Sequence, residues 1–294
     1  MIYVNMRGRM GNQLFIYSMA RVLQEKTRQP ITLNYTSLKS HDLNMQMSLK
    51  QFNLPKNVCF EETSVLPWYA NTDNFIIRFF RHYFPEMTFK ILSKFNIYLW
   101  LGETYKEIQP NFEKDIYLDG FWQSEKYFNE YREIIVSELS ILVDMQDECK
   151  RLLSVIRDTE SVCVSIRRGD YISVPKNKNM YYVCDDIYIL NAIKKMAQLV
   201  PNAKWIVFSD DIEWVKANVQ FPGEVFYQPY KINALETMEL MKECKHFIIS
   251  NSSFSWWGQY LSNNSNKIVV APSKWYVDGR KEDIINEDWI KIPV

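Results

Sequence analysis

Apolar positions along this chain follow two different periods, and where each one holds decides the elements. An extended run at residues 2–5 is punctuated by Gly8 and Gly11. Leu14, Phe15, Ser18, Met19, Val22 and Leu23 then follow at helical spacing. A second extended run occupies residues 31–35, so the opening reads as a βαβ unit, the building block of a helix-covered parallel sheet. Residues 38–117 show no regular period. Inside them, residues 75–100 are dense in aromatics interspersed with Arg78, Arg81, His82, Lys90 and Lys94, with Pro85 and Glu86 between the two halves. This stretch reads as a pair of helices with solvated basic faces; the alternative is an amphipathic surface that touches a membrane or a sugar acceptor.

Helical patterning over 127–143 continues through 144–159 into a polar turn, which places the boundary between domains 1–157 and 158–294. Beyond it the alternation becomes regular. Strands are expected at 161–166, 205–209, 224–227, 247–250 and 268–271, and helices at 186–199, 212–218, 234–244 and 252–261. Strand and helix taking turns in this way predict a doubly wound α/β domain.

Composition narrows the function. Thirty-five Lys plus Arg are balanced by thirty-five Asp plus Glu among 294 residues, which argues against a nucleic-acid binder that neutralises many phosphates. Any anion must be held locally. Aromatics reach 15%, enough for stacking surfaces as well as core. The five cysteines are scattered without a CxxC pair, so neither a disulfide framework nor a zinc site is indicated. No segment offers the roughly 18 apolar residues of a membrane span, and the N-terminus lacks a secretory pattern, so a cytoplasmic location is expected. Asn-x-Ser/Thr matches at Asn34, Asn251 and Asn263 would matter only in a secreted protein.

In an open α/β sheet, ligands bind beyond the carboxyl ends of the strands, and four segments stand there. Arg7-Gly8-Arg9-Met10-Gly11-Asn12-Gln13 combines a tight turn, two arginines and a helix start; it is not GxGxxG, and Asn12 could simply cap the helix. Arg167-Arg168-Gly169-Asp170-Tyr171 follows an apolar strand and offers a fork of donors suited to a diphosphate, or else a surface pair in salt bridges. In Phe208-Ser209-Asp210-Asp211, one aspartate could accept from a purine edge or ribose while the other caps the next helix; a metal is the weakest option. The stretch Ser250-Asn251-Ser252-Ser253-Phe254-Ser255-Trp256-Trp257-Gly258 puts hydroxyls and backbone N–H groups at a helix start, a neutral cradle for phosphate. No G-x-S-x-G is present, and His41, His82 and His246 read as structural.

Together GNQLF at 11–15, RRGDY at 167–171, FSDD at 208–211 and CKHFIISNSSFSWWGQYL at 244–261 resemble the bacterial α-1,2-fucosyltransferases, glycosyltransferase family 11, over nearly the whole chain. The RGRMGNQ segment is similar to the glycine-asparagine motif of protein O-fucosyltransferases, and the arginine motif is shared with them and with α-1,6-fucosyltransferases. The resemblance implies a GT-B-like α/β fold of two Rossmann-like domains facing a cleft, with GDP-fucose mostly on the C-terminal one. It implies Arg167 on the donor's β-phosphate with Arg168 beside it, Ser252, Ser253 and Ser255, with Asn251 in the same segment, as the phosphate-contacting stretch, and Asp210 or Asp211 near the guanine. Asn12 matches an asparagine that reaches the cleft from the other domain. Ser165 stands where the family usually has a histidine that helps hold the nucleotide.

The implied reaction is inverting transfer of L-fucose from GDP-β-L-fucose to the 2-OH of a terminal galactose on an oligosaccharide or glycolipid, in surface glycan or O-antigen synthesis. No metal or other cofactor is expected. Asp170 is the candidate base, with orientation of the arginines as its alternative role. A peripheral contact with the inner face of the membrane is the remaining expectation. Another linkage or acceptor, or a non-catalytic GDP-sugar-binding module, are the competing readings.

Overall fold

The computed structural model describes residues 1–38, 48–62, 66–70, 74–140 and 144–294; His41 lies outside them. The chain divides into two compact units, Met1–Leu142 and Val143–Val294.

The first unit runs β1 (Ile2–Asn5), α1 (Met10–Thr27), β2 (Ile31–Asn34), β3 (Val58–Glu61), α2 (Phe75–Tyr83), α3 (Pro85–Ser93), β4 (Ile97–Trp100), β5 (Ile116–Gly120) and α4 (Arg132–Glu138). Its sheet has the order β3-β2-β1-β5-β4 and is parallel throughout, with Ile2 paired to Ile31 on one side and to Ile116 on the other. The βαβ opening is as expected. Strands β3 and β4 and the start of β5 lie in the stretch without a regular period; β4 is buried at all four positions and β5 at all but one, leaving no alternation to read there. The long helix expected over 127–143 is shorter: 3₁₀ turns at Glu125–Tyr127 and Asn129–Tyr131 precede α4.

The second unit runs α5 (Asp147–Asp158), β6 (Ser161–Ile166), α6 (Gly169–Ser173), α7 (Pro175–Tyr181), α8 (Asp186–Leu199), β7 (Lys204–Ser209), α9 (Ile212–Asn218), β8 (Val225–Tyr227), α10 (Ala234–Glu243), β9 (His246–Ile249), α11 (Ser253–Tyr260), β10 (Val269–Pro272) and β11 (Ile290–Ile292). Its sheet order, β11-β10-β9-β6-β7-β8, is that of a doubly wound Rossmann-like unit, with every pairing parallel. The α/β class expected from the sequence, with two Rossmann-like units of the GT-B type, is therefore present.

The boundary falls earlier than residue 157. Helix α5 is amphipathic and buries Cys149, Leu152 and Ile156. The backbone N–H and side-chain amide of Gln146, just before it, donate to Glu236 at 2.8 and 2.7 Å. Glu236 also closes a capping box with Asn233 at the start of α10. Burial raises the Glu236 carboxyl, and the hydrogen bonds from Gln146 and Asn233 outweigh it, holding the group below its usual range. Helix α5 thus belongs to the core it covers.

Candidate functional site

The strand order of the second sheet reverses between β6 and β9, so the crevice at their carboxyl ends is the expected ligand position. Ser250, immediately after β9, joins the two strand ends. Its backbone N–H and hydroxyl both donate to the Ser165 carbonyl, at 3.1 and 2.8 Å, and its hydroxyl accepts from the Arg167 N–H at 3.1 Å. Buried Ser250 therefore fixes the backbone that aims Arg167.

Arg167 is held from two sides. One terminal nitrogen lies 2.5 Å from Asp170 Oδ1 and the other 2.9 Å from Asp210 Oδ2. The other Asp170 oxygen accepts from Asn177 at 3.4 Å, and Asp210 Oδ1 accepts from the Arg168 N–H at 2.8 Å. Tyr171 lies beneath, its ring centre 5.6 Å from the guanidinium carbon, with its hydroxyl donating to the Asn251 carbonyl at 3.1 Å. Burial pushes the Tyr171 phenol far above its ordinary range, so it stays a neutral donor. The guanidinium keeps 27% of its side-chain surface exposed, and N–H groups beyond those facing the two carboxylates remain for a ligand. Gly169 is required by this packing: a Cβ there would lie 2.5 Å from Asp210 Oδ2.

Arg168 turns the other way. Its guanidinium carbon stacks 3.2 Å from the centre of the Trp214 ring, with Asp186 at 3.3 Å and Asp211 at 3.7 Å, and only 12% of its side chain is exposed. Asp211 accepts from the Trp214 N–H at 3.4 Å as the N-cap of α9. The capping alternative is thus realised at Asp211, whereas Asp210 belongs to the Arg167 clamp.

The serine-rich segment separates into two roles. Ser252 is the N-cap of α11 in extended geometry and its side chain makes no cap hydrogen bond, so the helix start offers N–H groups to a ligand. Ser252 and Ser253 are half-buried at this end. Ser255 is buried, and its hydroxyl lies 2.6 Å from that of Ser165. Asn251 is buried as well, its amide donating to the carbonyls of Tyr181 and Trp275 at 2.8 Å each. Asn251 and Ser255 therefore hold the crevice in shape, while Ser252, Ser253 and Arg167 line its accessible part. Trp256 and Trp257 are buried anchors.

In the first unit, the Gly8 turn has φ +67° and packs against Asn12, whose Oδ1 accepts from Gln123 at 2.8 Å. Asn12 lies within α1 and is not its cap; Arg9 occupies that position. Arg7 forms two bonds with fully buried Asp119, at 2.5 and 3.0 Å, and Asn5 adds a third at 2.9 Å. His246 is structural: its Nδ1 accepts from the Ile268 N–H at 3.1 Å, and burial lowers its pKa.

Among the described residues no group of three His, Cys, Asp or Glu side chains converges as a metal site would require. Ser250 is the first residue of the serine-rich motif, but its role as a strand-end clamp, like the roles of Trp214 and Asp119, carries no signal in the sequence. Asp119 ends a strand with no alternating pattern.

A parallel sheet with an arginine and a helix start at its reversal point is a Rossmann-like unit whose geometry can accept a phosphate. The chain belongs to glycosyl transferase family 11, whose profile matches residues 1–293. It is similar to an Escherichia coli alpha-1,2-colitosyltransferase, with 31% identity over 99% of this chain and 98% of that protein. It is also similar to the human galactoside alpha-(1,2)-fucosyltransferase 1, with 25% identity over 66% of this chain and 56% of that protein. Among solved structures, the NodZ alpha-1,6-fucosyltransferase of Bradyrhizobium soaked with GDP-fucose shares the fold, with a TM-score of 0.52, 14% identity, and coverage of 89% of this chain and 92% of that one.

Proposed function

We propose that this glycosyltransferase moves L-fucose from GDP-β-L-fucose to the 2-OH of a terminal galactose, with inversion and without a metal. The observation that carries the donor site is Arg167, clamped by Asp170 and Asp210 beside the uncapped start of α11. Breaking the anomeric C–O bond builds negative charge on the departing diphosphate and oxocarbenium character on the sugar. Fixed N–H donors at the β-phosphate stabilise that charge more in the transition state than in the ground state. Arg167 and the first N–H groups of α11 supply them, with Ser252 and Ser253 hydroxyls alongside.

Asp170 acts here as a positioning residue, because it is committed to the guanidinium. In a loose transition state the attacking hydroxyl gains acidity only late, so a dedicated base contributes little. The α-1,2 linkage is supported by the relatives, whose names share it.

A second donor is favoured by one observation: the more similar of these relatives is named for colitose, the 3-deoxy analogue of fucose. A pocket that hydrogen-bonds the fucose 3-OH rejects the deoxy sugar strongly, whereas a pocket shaped for the deoxy sugar discriminates weakly against the hydroxyl.

The test is incubation with lactose and either GDP-fucose or GDP-colitose in EDTA, with GDP release measured and the product linkage read by NMR. A fucosylated product linked α-1,2 to galactose is expected. Preferential turnover of GDP-colitose reassigns the donor, and activity that needs Mn²⁺ or Mg²⁺ overturns the metal-free mechanism. GDP binding without product under every condition leaves only a binding module.

A further inference from the structure

Large apolar side chains are rarely grouped on a protein surface without a reason, and α2 groups five of them. Phe75, Ile76, Phe79, Phe80 and Tyr83 are 72, 40, 54, 44 and 61% exposed, while Ile77 is the residue that α2 buries. At 3.6 residues per turn these five span an arc of about 140° on the side away from Ile77. Their rings gather on the surface itself: Phe79 lies 4.8 Å from Tyr83 and 5.6 Å from Phe80, centre to centre. Helix α3 and its end add exposed Met87, Ile91 and Phe95, while Thr88 and Phe89 face inward. The helix pair with solvated basic side chains is as the sequence predicts, and the aromatics are exposed beside them, because among the described residues Ile77 is the α2 side chain that enters the core beneath.

Charge on the same pair of helices is predominantly positive. Arg78, Lys90 and Lys94 are exposed and Arg81 is half-buried. Glu86 is the sole acid between residues 74 and 96, and it takes Lys106 at 2.7 Å. The whole chain is neutral, so this surplus is local.

We propose that the α2–α3 surface docks on an anionic lipid bilayer, with the aromatic rings at the headgroup level and the cations on lipid phosphates. Aromatic and basic side chains on one exposed amphipathic element match that boundary in both polarity and charge. A second copy fits less well, since a two-fold contact sets the same cations opposite one another. Among the described residues no helix is long and apolar enough to cross a membrane, so the contact is interfacial.

Flotation with vesicles of phosphatidylcholine alone, or of phosphatidylcholine with phosphatidylglycerol, tests this in three proteins: wild type, Phe75→Ser/Phe79→Ser and Arg78→Glu/Lys90→Glu. Wild type is expected to float with the anionic vesicles and to be released by salt. The aromatic variant should lose partitioning about ten-fold or more, two ring contacts being removed. The charge variant should lose the preference for phosphatidylglycerol, on the order of five-fold per cation. Circular dichroism and Tm should stay at wild-type values, because every changed side chain is exposed. Absence of wild-type binding to either vesicle overturns the proposal, as does binding that neither variant alters. Sedimentation showing a dimer that the aromatic variant breaks, without lipid binding, overturns it in favour of a second copy.

Discussion

Arg167 shows how a single guanidinium is made into a fixed tool. Two carboxylates hold its terminal nitrogens, Ser250 fixes its backbone, and Gly169 leaves room for Asp210 to approach. Arg167→Ala removes the donor and leaves Asp170 and Asp210 as uncompensated negative charge where phosphate would sit. The expected result is a loss of kcat/KM for the donor of about 10²–10³-fold, with Tm changed little; near-normal kcat/KM would take the arginine out of the mechanism. Gly169→Ala should act through the same clamp by displacing Asp210, raising the donor KM while leaving the arginine in place. The motif at 167–171 was legible in the sequence as an arginine pair at a strand end. Its division of labour was not, because Asp210, Asp211 and Trp214 arrive from another strand and helix.

Helix α1 is held at the scale of elements. It is buried over most of its length, and it carries Arg21 into that environment with Glu25 at 2.6 Å and Glu138 of α4 at 2.9 Å. Tyr17 donates to the same Glu138 at 2.5 Å. Arg21→Met keeps the apolar stem and removes the charge, which strands a nearly buried carboxylate. Destabilisation of ~3 kcal/mol is expected by chemical denaturation, because removing one partner leaves the other charge without its compensation. A change within ±0.5 kcal/mol would show that water reaches Glu138. The first helix was readable from its period, but the network that ties it to α4 joins residues more than a hundred positions apart.

At the scale of the whole molecule, equal numbers of acidic and basic residues leave no net charge, and the arginines at the crevice are paired locally. The proposed GDP-sugar donor is therefore expected to be recognised at contact and not steered from a distance. The KM for a GDP-sugar should change by less than about three-fold between low and physiological salt. A steep rise with salt would reveal a positive field that the pairing does not cancel. Vesicle binding by α2–α3, in contrast, should respond to salt, so the two surfaces are distinguishable in one titration.

The sequence by itself determined what is local. From β7 to β10 strands and helices alternate because each has its own period and its own boundary signals, including the N-caps Asp211 and Asn233 that start α9 and α10. The four motifs lie at strand ends for the same reason. Tertiary structure decided what depends on partners distant in the chain. Strands β4 and β5 are buried on both faces and carry no alternation. The bond from Arg7 to Asp119 spans 112 residues, and that between Ser165 and Ser255 spans 90. The outward turn of the α2 aromatics was one of two alternatives in the sequence, since periodicity reports that a helix has two faces and only packing chooses which one meets the core.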